Sequence, residues 1–394
     1  MKNNSFMTKA AILFSGAGFN INIIVFSVAI GAIAENFAGV TSAQMSQIIN
    51  MPALFMIPAL YISAQLSKVI SKKYVLILGW ALFIFSGFAY TFCHTIPQLL
   101  VVRAITGFSV GLMSSIPKAL VAQLYPGEIS QLNGLQQSCV TSVSLICSIA
   151  AGALSAISWR HPIYLFNLGF VFLLSIILFV PAVPPEKKEF AQKERRKVSY
   201  DRHKISLMAA GSFFFMLFCI LQTKSTLLII GSGMGNSIVA GNVKAVMTFG
   251  SVCGGFVFAY IMKRSQRATI LISLFLSSVG YFLISTTNSL TVMFIANFII
   301  GMTTLGMIIP WYIARLSQET DKAQVTMVLS TYTIINYISQ FAATYFTSFV
   351  EYIAGNDAPS TSLFGVAVCL GIGFVFSFVM YLLPKNKKEL NQNG

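Results

Sequence analysis

Four basic residues stand inside long apolar stretches of this sequence: Arg103, Lys118, Lys224 and Lys244. An ionisable side chain at membrane depth is costly and marks a candidate functional site. All eleven acidic residues fall between the apolar stretches or at their ends, so no carboxylate is expected at the depth of the four cations. A cationic substrate would need such a carboxylate, and proton relays in membranes use Asp, Glu or His. The four cations therefore favour an organic anion, with a carboxylate as the expected group.

Each of the four cations also has a structural interpretation. Arg103 can donate hydrogen bonds to carbonyls of a neighbouring helix, and Lys118 can extend its stem to the nearer membrane surface. Lys224 and Lys244 fall in the half of the membrane whose loops carry almost no lysine, which argues against simple extension to the headgroups. At the level of sequence, both interpretations stay open for all four residues.

Uncharged polar and aromatic residues in the same stretches complete the candidate binding set. They are Asn20, Asn22, Gln222, Asn297, Trp311, Tyr312, Asn336, Tyr337 and Gln340. Polar side chains of membrane helices also bond to neighbouring helices, at about 0.6 kcal/mol each. A role in helix packing is therefore the alternative for every one of them.

The sequence predicts neither a metal centre nor a cofactor. Its six cysteines are scattered without a C-x-x-C pair, and its three histidines lie in or beside polar connections. No set of a nucleophile and a neighbouring base can be assembled from the residues, so an enzyme is not expected.

Composition places the candidate residues in a membrane protein. Of the 394 residues, 56% are apolar and 9% are charged, against about 45–50% and about 25% in soluble domains. Backbone groups in lipid must form hydrogen bonds within their own segment, so each apolar run is predicted to be a helix. The number of runs predicts an all-α protein with twelve membrane helices. The net charge of +15 does not indicate nucleic-acid binding, because so apolar a chain lacks a charged, wet face. The predicted helices span 8–34, 43–67, 73–92, 97–125, 131–157, 161–183, 204–231, 237–262, 267–286, 289–316, 323–352 and 361–384.

The loops carry their positive charge on one side of the membrane. With the N-terminus inside, the cytoplasmic segments hold 21 of the 26 Lys and Arg residues, and the outer loops hold Arg160 alone. The positive-inside rule therefore predicts that both termini are cytoplasmic. The expected location is the cytoplasmic (inner) membrane.

The chain divides into two similar halves around its longest polar stretch. Residues 1–183 and 205–394 each hold six predicted helices, and the basic segment 184–204 joins them. The fourth helix of each half carries an Ile-Pro pair, at Pro117 and at Pro310. Two pseudo-symmetric six-helix bundles joined by a cytoplasmic linker are typical of transporters with internal repeats.

Two motifs resemble those of the major facilitator superfamily. In the stretch 64–73, Leu66 and the pair Lys72 and Lys73 match the family's loop pattern between its second and third helices, whereas Lys68 stands in place of an aspartate. The fourth helix matches the family's R-x-x-x-G-x-x-x-G pattern. The resemblance implies a central cavity lined by helices one, four, seven and ten, with substrate bound between the two bundles.

The same resemblance implies gates at the cytoplasmic side. Glu128 is the acidic candidate to meet the basic pair of the first half in the outward-open state, and Glu319 is its counterpart in the second. The predicted gating residues are Lys68, Lys72, Lys73, Glu128, Lys263, Arg264 and Glu319.

Together these features predict a secondary transporter that moves an organic anion by exchange or uniport and works as a monomer in the bilayer. A proton-coupled multidrug exporter is the first alternative. It is opposed by the missing buried carboxylate and by Cys147-Ser148, where such exporters carry Gly-Pro. A non-transporting receptor or scaffold is the second alternative, and it would need a sizeable soluble domain or a long tail.

Overall fold

The computed structural model describes residues 5–37, 39–184, 201–320 and 324–382. Within these ranges the secondary structure is helical, and no strand is present. Most of the predicted linker 184–204 and the C-terminal tail lie outside the described residues.

Twelve helices, α1 to α12, follow one another in the described ranges, and four of them are divided or change their winding. Their bounds are α1 Ser5–Phe14 and Gly18–Asn36, α2 Ser42–Leu66, α3 Lys72–Thr91, α4 Ile96–Ser114 and Ile116–Leu124, α5 Ile129–Ser155, α6 His161–Asn167 (3₁₀) and Leu168–Phe179, α7 Arg202–Gly231, α8 Ser237–Arg264, α9 Gln266–Thr286, α10 Leu290–Ile300, Gly301–Ile308 (π) and Ile309–Gln318, α11 Val325–Ala354, and α12 Pro359–Leu382. The predicted all-α fold is confirmed.

Eleven of these helices are long and apolar enough to cross a membrane. The exception is α11, which is as long as the others but carries Asn336, Gln340, Glu351 and five threonines. A span this polar must turn much of its surface toward protein rather than lipid, because unsatisfied polar groups are costly in hydrocarbon.

Both prolines of the duplicated Ile-Pro pair coincide with an interruption of the helix. In α4 the first segment ends at Ser114 and the second begins at Ile116, with Pro117 in its first turn. In α10 a π segment precedes Ile309 and Pro310. Proline lacks the N–H that would bond to the carbonyl four residues earlier, so the winding changes just before it.

Each half of the chain has its own hydrophobic core. One cluster gathers buried residues of α1 to α6, among them Phe26, Trp80 and Phe166. The other gathers residues of α7 to α12. Tyr337 of α11 is the exception, since it packs into the core of the first half.

The two halves meet along two helix pairs, α5 with α8 and α2 with α11. In the first pair, glycines allow the two backbones to come into direct contact. A Cβ at Gly241 would lie 2.5 Å from the Ser148 carbonyl oxygen, too close for any side chain. In the second pair the Asn50 amide nitrogen donates to the Thr344 hydroxyl at 3.3 Å.

We call the end of the protein that carries Lys68, Lys72 and Lys73 the basic end, and the opposite end the distal end. Near the distal end, α7 contacts α1, where the Thr226 hydroxyl donates to the Ser27 carbonyl at 2.7 Å. At the basic end, the last segments of α4 and α10 make their extensive contacts with helices of their own half. The halves are therefore sealed together at the distal end, which in the predicted orientation faces outward.

Candidate functional site

Arg103 lies at the crossing of α4 and α2 and is fully buried. Its Nε donates to the carbonyl of Ile48, and its Nη2 donates to the carbonyl of Ile49 at 3.1 Å. The Ile48 carbonyl lacks the usual helical hydrogen bond from four residues later, because Pro52 has no N–H. Arg103 thus supplies the hydrogen bond that the proline of α2 removes.

The remaining contacts of Arg103 tie in α1. Its Nη1 donates to the Asn22 side-chain oxygen, and its guanidinium lies 4.2 Å from the centre of the Phe26 ring. Because these acceptors and the ring occupy the guanidinium from several sides, the structure favours the carbonyl-capping interpretation of Arg103. In this conformation it links α4 to α1 and α2.

The glycines that follow Arg103 bring the two helices close together. A Cβ at Gly107 would lie 2.2 Å from the Pro52 carbonyl oxygen, and one at Gly111 would lie 2.6 Å from that of Met56. Residues four apart share one helix face, so the R-x-x-x-G-x-x-x-G pattern describes a single contact surface along α2.

Lys224 of α7 forms a buried ion pair with Glu351 of α11. The Lys224 ammonium donates to the Glu351 carboxylate and to the Ser42 hydroxyl at the start of α2. Lys224 is fully buried and Glu351 is 9% exposed. The expectation that no carboxylate shares the depth of the cations is therefore wrong. Glu351 stands only one turn from the helix end, but α2, α7 and α12 cover its side chain.

Lys244 of α8 is buried among neutral acceptors. Its Nζ donates to the carbonyls of Leu221 and Gln222, at 3.3 and 3.0 Å, and to the Gln222 side-chain oxygen at 3.0 Å. Among the described residues it has no acidic partner. Its charge is solvated by dipoles of α7 but is not neutralised.

Lys118 is the accessible cation of the set. It lies in the second segment of α4, whose Pro117, Leu120 and Val121 are buried while Lys118 is exposed. In the part of the chain that the structure describes, its ammonium has no hydrogen bond or ion pair. The buried side of this segment packs on its own half, so Lys118 is directed away from that core.

Several candidate polar residues form hydrogen bonds between helices, as expected if their role is in helix packing. The Asn20 amide donates to the Ser144 hydroxyl at 2.8 Å, and the Asn336 side-chain oxygen accepts from Ser212 at 2.7 Å. Two others keep an unused acceptor: the side-chain oxygens of Asn297 and Gln340 are buried and have no hydrogen-bond partner within the described ranges.

The aromatic candidates form contacts on both sides of the boundary between the halves. Trp311 and Tyr312 lie edge to face with ring centres 5.0 Å apart, and Tyr312 also faces Phe214. Tyr337 reaches across to Phe19 of α1 at 6.2 Å. The structure therefore does not gather the whole predicted set into one cluster.

The predicted cytoplasmic gate residues of the first half have other partners in this conformation. The Glu128 carboxylate binds Lys9 of α1 at 2.7 Å. Lys72 donates to Gln123 at 3.0 Å, and Lys73 donates to the Ile177 carbonyl at 2.8 Å. The proposed pairing of Glu128 with Lys72 or Lys73 belongs to the conformation with the opposite opening and stays a prediction.

In the second half, Glu319 pairs within the basic end. Its carboxylate lies 2.6 Å from Arg315 and 3.3 Å from the imidazole of His203. Arg264 is exposed, and the side chain of Lys263 lies outside the described residues. Lys68 donates to the Gln65 side chain at 3.1 Å, one turn earlier in the chain.

Sequence reasoning missed Glu351, Ser42 and Lys9 as functional candidates. For Glu351 a signal was present, since this carboxylate lies in the last turn of an unusually polar helix. Ser42 offers no comparable signal, because a serine beside the Thr41 N-cap is typical of any helix start.

The fold is that of a multi-spanning membrane protein built from two six-helix halves. The family model described as Major Facilitator Superfamily matches residues 10–344, and the chain belongs to this superfamily. It is a multi-pass transporter rather than an enzyme, which also excludes the non-transporting receptor.

A curated relative and two solved structures are similar to this chain. The 3-(3-hydroxy-phenyl)propionate transporter of Escherichia coli (strain K12) is 24% identical over 295 residues, which cover 71% of this chain and 70% of the relative. A D-xylose-proton symporter matches with a TM-score of 0.76 at 14% identity, covering 98% and 99% of the two chains. A bacterial homolog of the human lysosomal transporter Spinster, in an inward-facing and unoccupied conformation, matches with a TM-score of 0.73 at 14% identity, covering 95% and 96%. The two structures show the shared fold.

Proposed function

We propose that this transporter moves a small organic carboxylate across the cytoplasmic membrane by alternating access. The observation that carries the proposal is the charge balance of the four cations predicted at membrane depth. Arg103, Lys224 and Lys244 are buried and Lys118 is exposed, and among the described residues Glu351 is the one buried carboxylate to oppose them. With Lys224 paired with Glu351 and Arg103 bonded to carbonyls, Lys118 and Lys244 are the two that have no acidic partner among the described residues.

Lys118 is the residue we assign to the substrate carboxylate. Its ammonium is exposed and free of described partners, whereas Lys244 is 1% exposed. An ammonium bound to a carboxylate is a charge-assisted interaction, about twice as strong as a neutral hydrogen bond. Lys244 acts at longer range, since an uncompensated buried charge raises the electrostatic potential felt by an anion in the cavity.

Trp311, which occupies the repeat position of Lys118, favours an aromatic substrate. In the repeat, Trp311 of α10 takes the position that Lys118 holds in α4, and Tyr312 lies beside it. A cation on one half and aromatic rings on the other fit a molecule with one charged and one apolar end. The curated relative transports a hydroxyphenylpropionate by its name, which supports an aryl carboxylate.

The distal seal fits one state of a transport cycle. Alternating access requires the two halves to separate at one end while they close at the other. Here Thr226 and Ser27 join the halves at the distal end, while the last segments of α4 and α10 keep to their own halves. We place this conformation as inward-facing, in the cytoplasmic membrane, and propose a monomer as the working unit.

Counterflow in proteoliposomes tests the proposal. Purified protein is reconstituted with unlabelled 3-phenylpropionate inside, and uptake of the labelled compound is measured without any ion gradient. We expect Lys118→Gln to lower counterflow at least tenfold and Lys118→Arg to retain much of it. Arg202→Gln, which removes an exposed cation from the basic end, is the matched control. Counterflow by Lys118→Gln equal to that of the control would contradict the assignment.

A further inference from the structure

Two helices of the first half, α1 and α4, are interrupted at the same level of the membrane. The first segment of α1, Ser5–Phe14, has 10 residues, and the second segment of α4, Ile116–Leu124, has 9. Both segments lie toward the basic end, where the Lys9–Glu128 ion pair joins the start of α1 to the end of α4. At 1.5 Å per residue each break lies about 15 Å from that end, which is half the thickness of the hydrocarbon core.

The two breaks lie next to each other. A Cβ at Gly18, where the second segment of α1 begins, would lie 2.5 Å from the Cε atom of Met113, in the last turn before the interruption of α4. Tyr337 of the second half spans both breaks. Its ring centre lies 6.2 Å from that of Phe19, and its hydroxyl lies beside Ser114. The breaks are therefore close to the boundary between the halves.

Each break contains the N-terminus of a helix segment. The second segment of α1, Gly18–Asn36, runs toward the distal end, whereas the second segment of α4 runs toward the basic end. Because they start from the same level in opposite directions, their N-termini meet there. An N-terminus carries about half a positive elementary charge on its unpaired N–H groups. Neither of these two segments has a side chain that caps its start.

The carbonyl ends of the first segments at these breaks are partly compensated. The Ser15 hydroxyl donates to the Ile12 carbonyl at 2.7 Å, and the Ser114 hydroxyl donates to the Gly111 carbonyl at 3.1 Å. Serine hydroxyls thus serve the negative ends, while the positive ends lack a side-chain cap. The paired breaks therefore favour an anion over a cation.

Two side chains also point to an anion at this place. Gln136 of α5 is 5% exposed, and its side-chain oxygen has no hydrogen-bond partner among the described residues. Its amide nitrogen, a donor, faces the break of α1, 3.2 Å from the position of a Cβ at Gly16. Lys118 is the third residue of the second segment of α4, and helical side chains tilt toward the N-terminus. A cation in the first turn opposes the helix dipole, and a bound anion would offset that cost.

We propose that the substrate carboxylate binds between the N-termini of the two interrupted segments. The Gln136 amide donates to it from the side of α1, and the Lys118 ammonium binds it from the side of α4. This inference rests on the proposed carboxylate transport and adds Gln136 and the two helix N-termini to it. Half-helix N-termini face the anionic groups of substrates in other secondary transporters. Tyr337 covers the site from the second half, so an occupied site contacts both halves.

Calorimetric titration of the purified protein with 3-phenylpropionate tests the side of α1. Gln136→Leu removes the amide donor, and Gln137→Leu, which changes the exposed neighbour, is the matched control. We expect Gln136→Leu to raise the Kd at least tenfold, as the loss of a hydrogen bond to a charged group would, and the control to bind within twofold of the wild type.

A second variant keeps this test valid if Gln136→Leu does not fold. The Cβ of Gly16→Ala would press on the Gln136 amide nitrogen and turn it away from the break. It removes no polar group, and the amide is the end of a flexible side chain, so the fold should be kept. We expect the Kd to rise at least threefold, and an unchanged Kd would contradict the role of Gln136.

A charge substitution tests the side of α4. Ser115 stands just before the second segment, is exposed and makes no capping bond. Ser115→Asp puts a permanent carboxylate at this N-terminus, in the place of the substrate's. We expect a Kd at least tenfold higher, with an unfolding temperature equal to or above that of the wild type, because an acidic cap stabilises a helix start. Ser115→Asn, similar in shape but neutral, should bind within threefold of the wild type.

The outcomes separate this site from the proposed function. Wild-type binding that is lost in Lys118→Gln but is equal in Gln136→Leu and Gln137→Leu overturns the site and leaves the carboxylate transport standing. Equal Kd values for Ser115→Asp and Ser115→Asn overturn the role of the α4 N-terminus. Absence of binding by the wild type overturns the site and the proposed function together.

Discussion

The crossing of α2 with α4 in the first half and that of α8 with α10 in the second share one geometry but differ in their polar residues. Both depend on a glycine against backbone: Gly107 would place a Cβ 2.2 Å from the Pro52 oxygen, and Gly301 would place one 1.9 Å from the Met247 oxygen. In the first crossing Arg103 donates to the Ile48 carbonyl, which Pro52 leaves without its usual helical hydrogen bond. In the second, the repeat position holds Asn297, whose side-chain oxygen has no partner among the described residues.

This difference indicates that the first crossing serves mainly as a rigid frame and the second mainly in transport. In the first crossing each nitrogen of the Arg103 guanidinium donates a hydrogen bond, which suits a rigid frame. The second contains a π segment, Gly301–Ile308, and lies in the half that carries Lys244 and the Lys224–Glu351 pair. π segments inside helices occur often at functional sites. We therefore expect substitutions in the first crossing to reduce stability and those in the second to alter transport.

Replacing Arg103 should have the largest effect on stability. Arg103→Leu leaves the Ile48 carbonyl and the Asn22 side chain without their donors, and each buried orphan costs about 1–3 kcal/mol. Asn297→Leu, at the repeat position, loses only a bond to the Met293 carbonyl of its own helix. Thermal unfolding of the purified variants in detergent measures both. Equal shifts in the two variants would show that the crossings are energetically alike.

Adjacent glycines of α8 provide a sharper probe of the second crossing. A Cβ at Gly254 would lie 2.1 Å from the Met302 oxygen of the π segment, whereas one at Gly255 would meet nothing within 4 Å. Overpacking costs about 1–3 kcal/mol, so Gly254→Ala should lower the unfolding temperature and Gly255→Ala should not. An unchanged unfolding temperature in Gly254→Ala would contradict the close packing of α8 against the π segment.

Lys244→Met should separate stability from transport. The substitution removes a buried charge that has no acidic partner among the described residues and replaces it with an apolar chain of similar length. Replacing buried ions by apolar groups is often neutral or stabilising, so we expect an unchanged or higher unfolding temperature. Counterflow should fall at least tenfold, a loss equivalent to about 1.4 kcal/mol. Counterflow within twofold of the wild type would remove Lys244 from the transport mechanism.

The exposed pair Lys9–Glu128 should have the smallest effect on stability. Its side chains are 25% and 44% exposed, and such pairs contribute about 0–1 kcal/mol. Glu128→Lys should therefore leave expression and unfolding nearly unchanged. It should nevertheless reduce transport if Glu128 meets Lys72 or Lys73 when the basic end closes. Normal transport by this variant would eliminate the predicted cytoplasmic gate.

Much of the fold could be predicted from hydropathy, because each apolar run must form a helix in lipid. The R-x-x-x-G-x-x-x-G pattern was matched in the sequence, but the close contact of its glycines with α2 follows from the structure. The environment of Glu351 could not be predicted in this way. Its burial depends on three other helices, and Ser42 is separated from it by most of the chain. The partner of Glu128 likewise depends on how α1 packs against α5.

The central claim is that Lys118 and Lys244 serve an organic anion, and equilibrium binding tests it most directly. Thermal unfolding of the purified protein is titrated with 3-phenylpropionate, with its neutral amide and with 3-phenylpropylamine. A ligand at 100 times its Kd stabilises the folded state by about 2.7 kcal/mol. We predict saturable stabilisation by the carboxylate alone, abolished in Lys118→Gln. Equal stabilisation by the amide, or stronger stabilisation by the amine, would contradict the account.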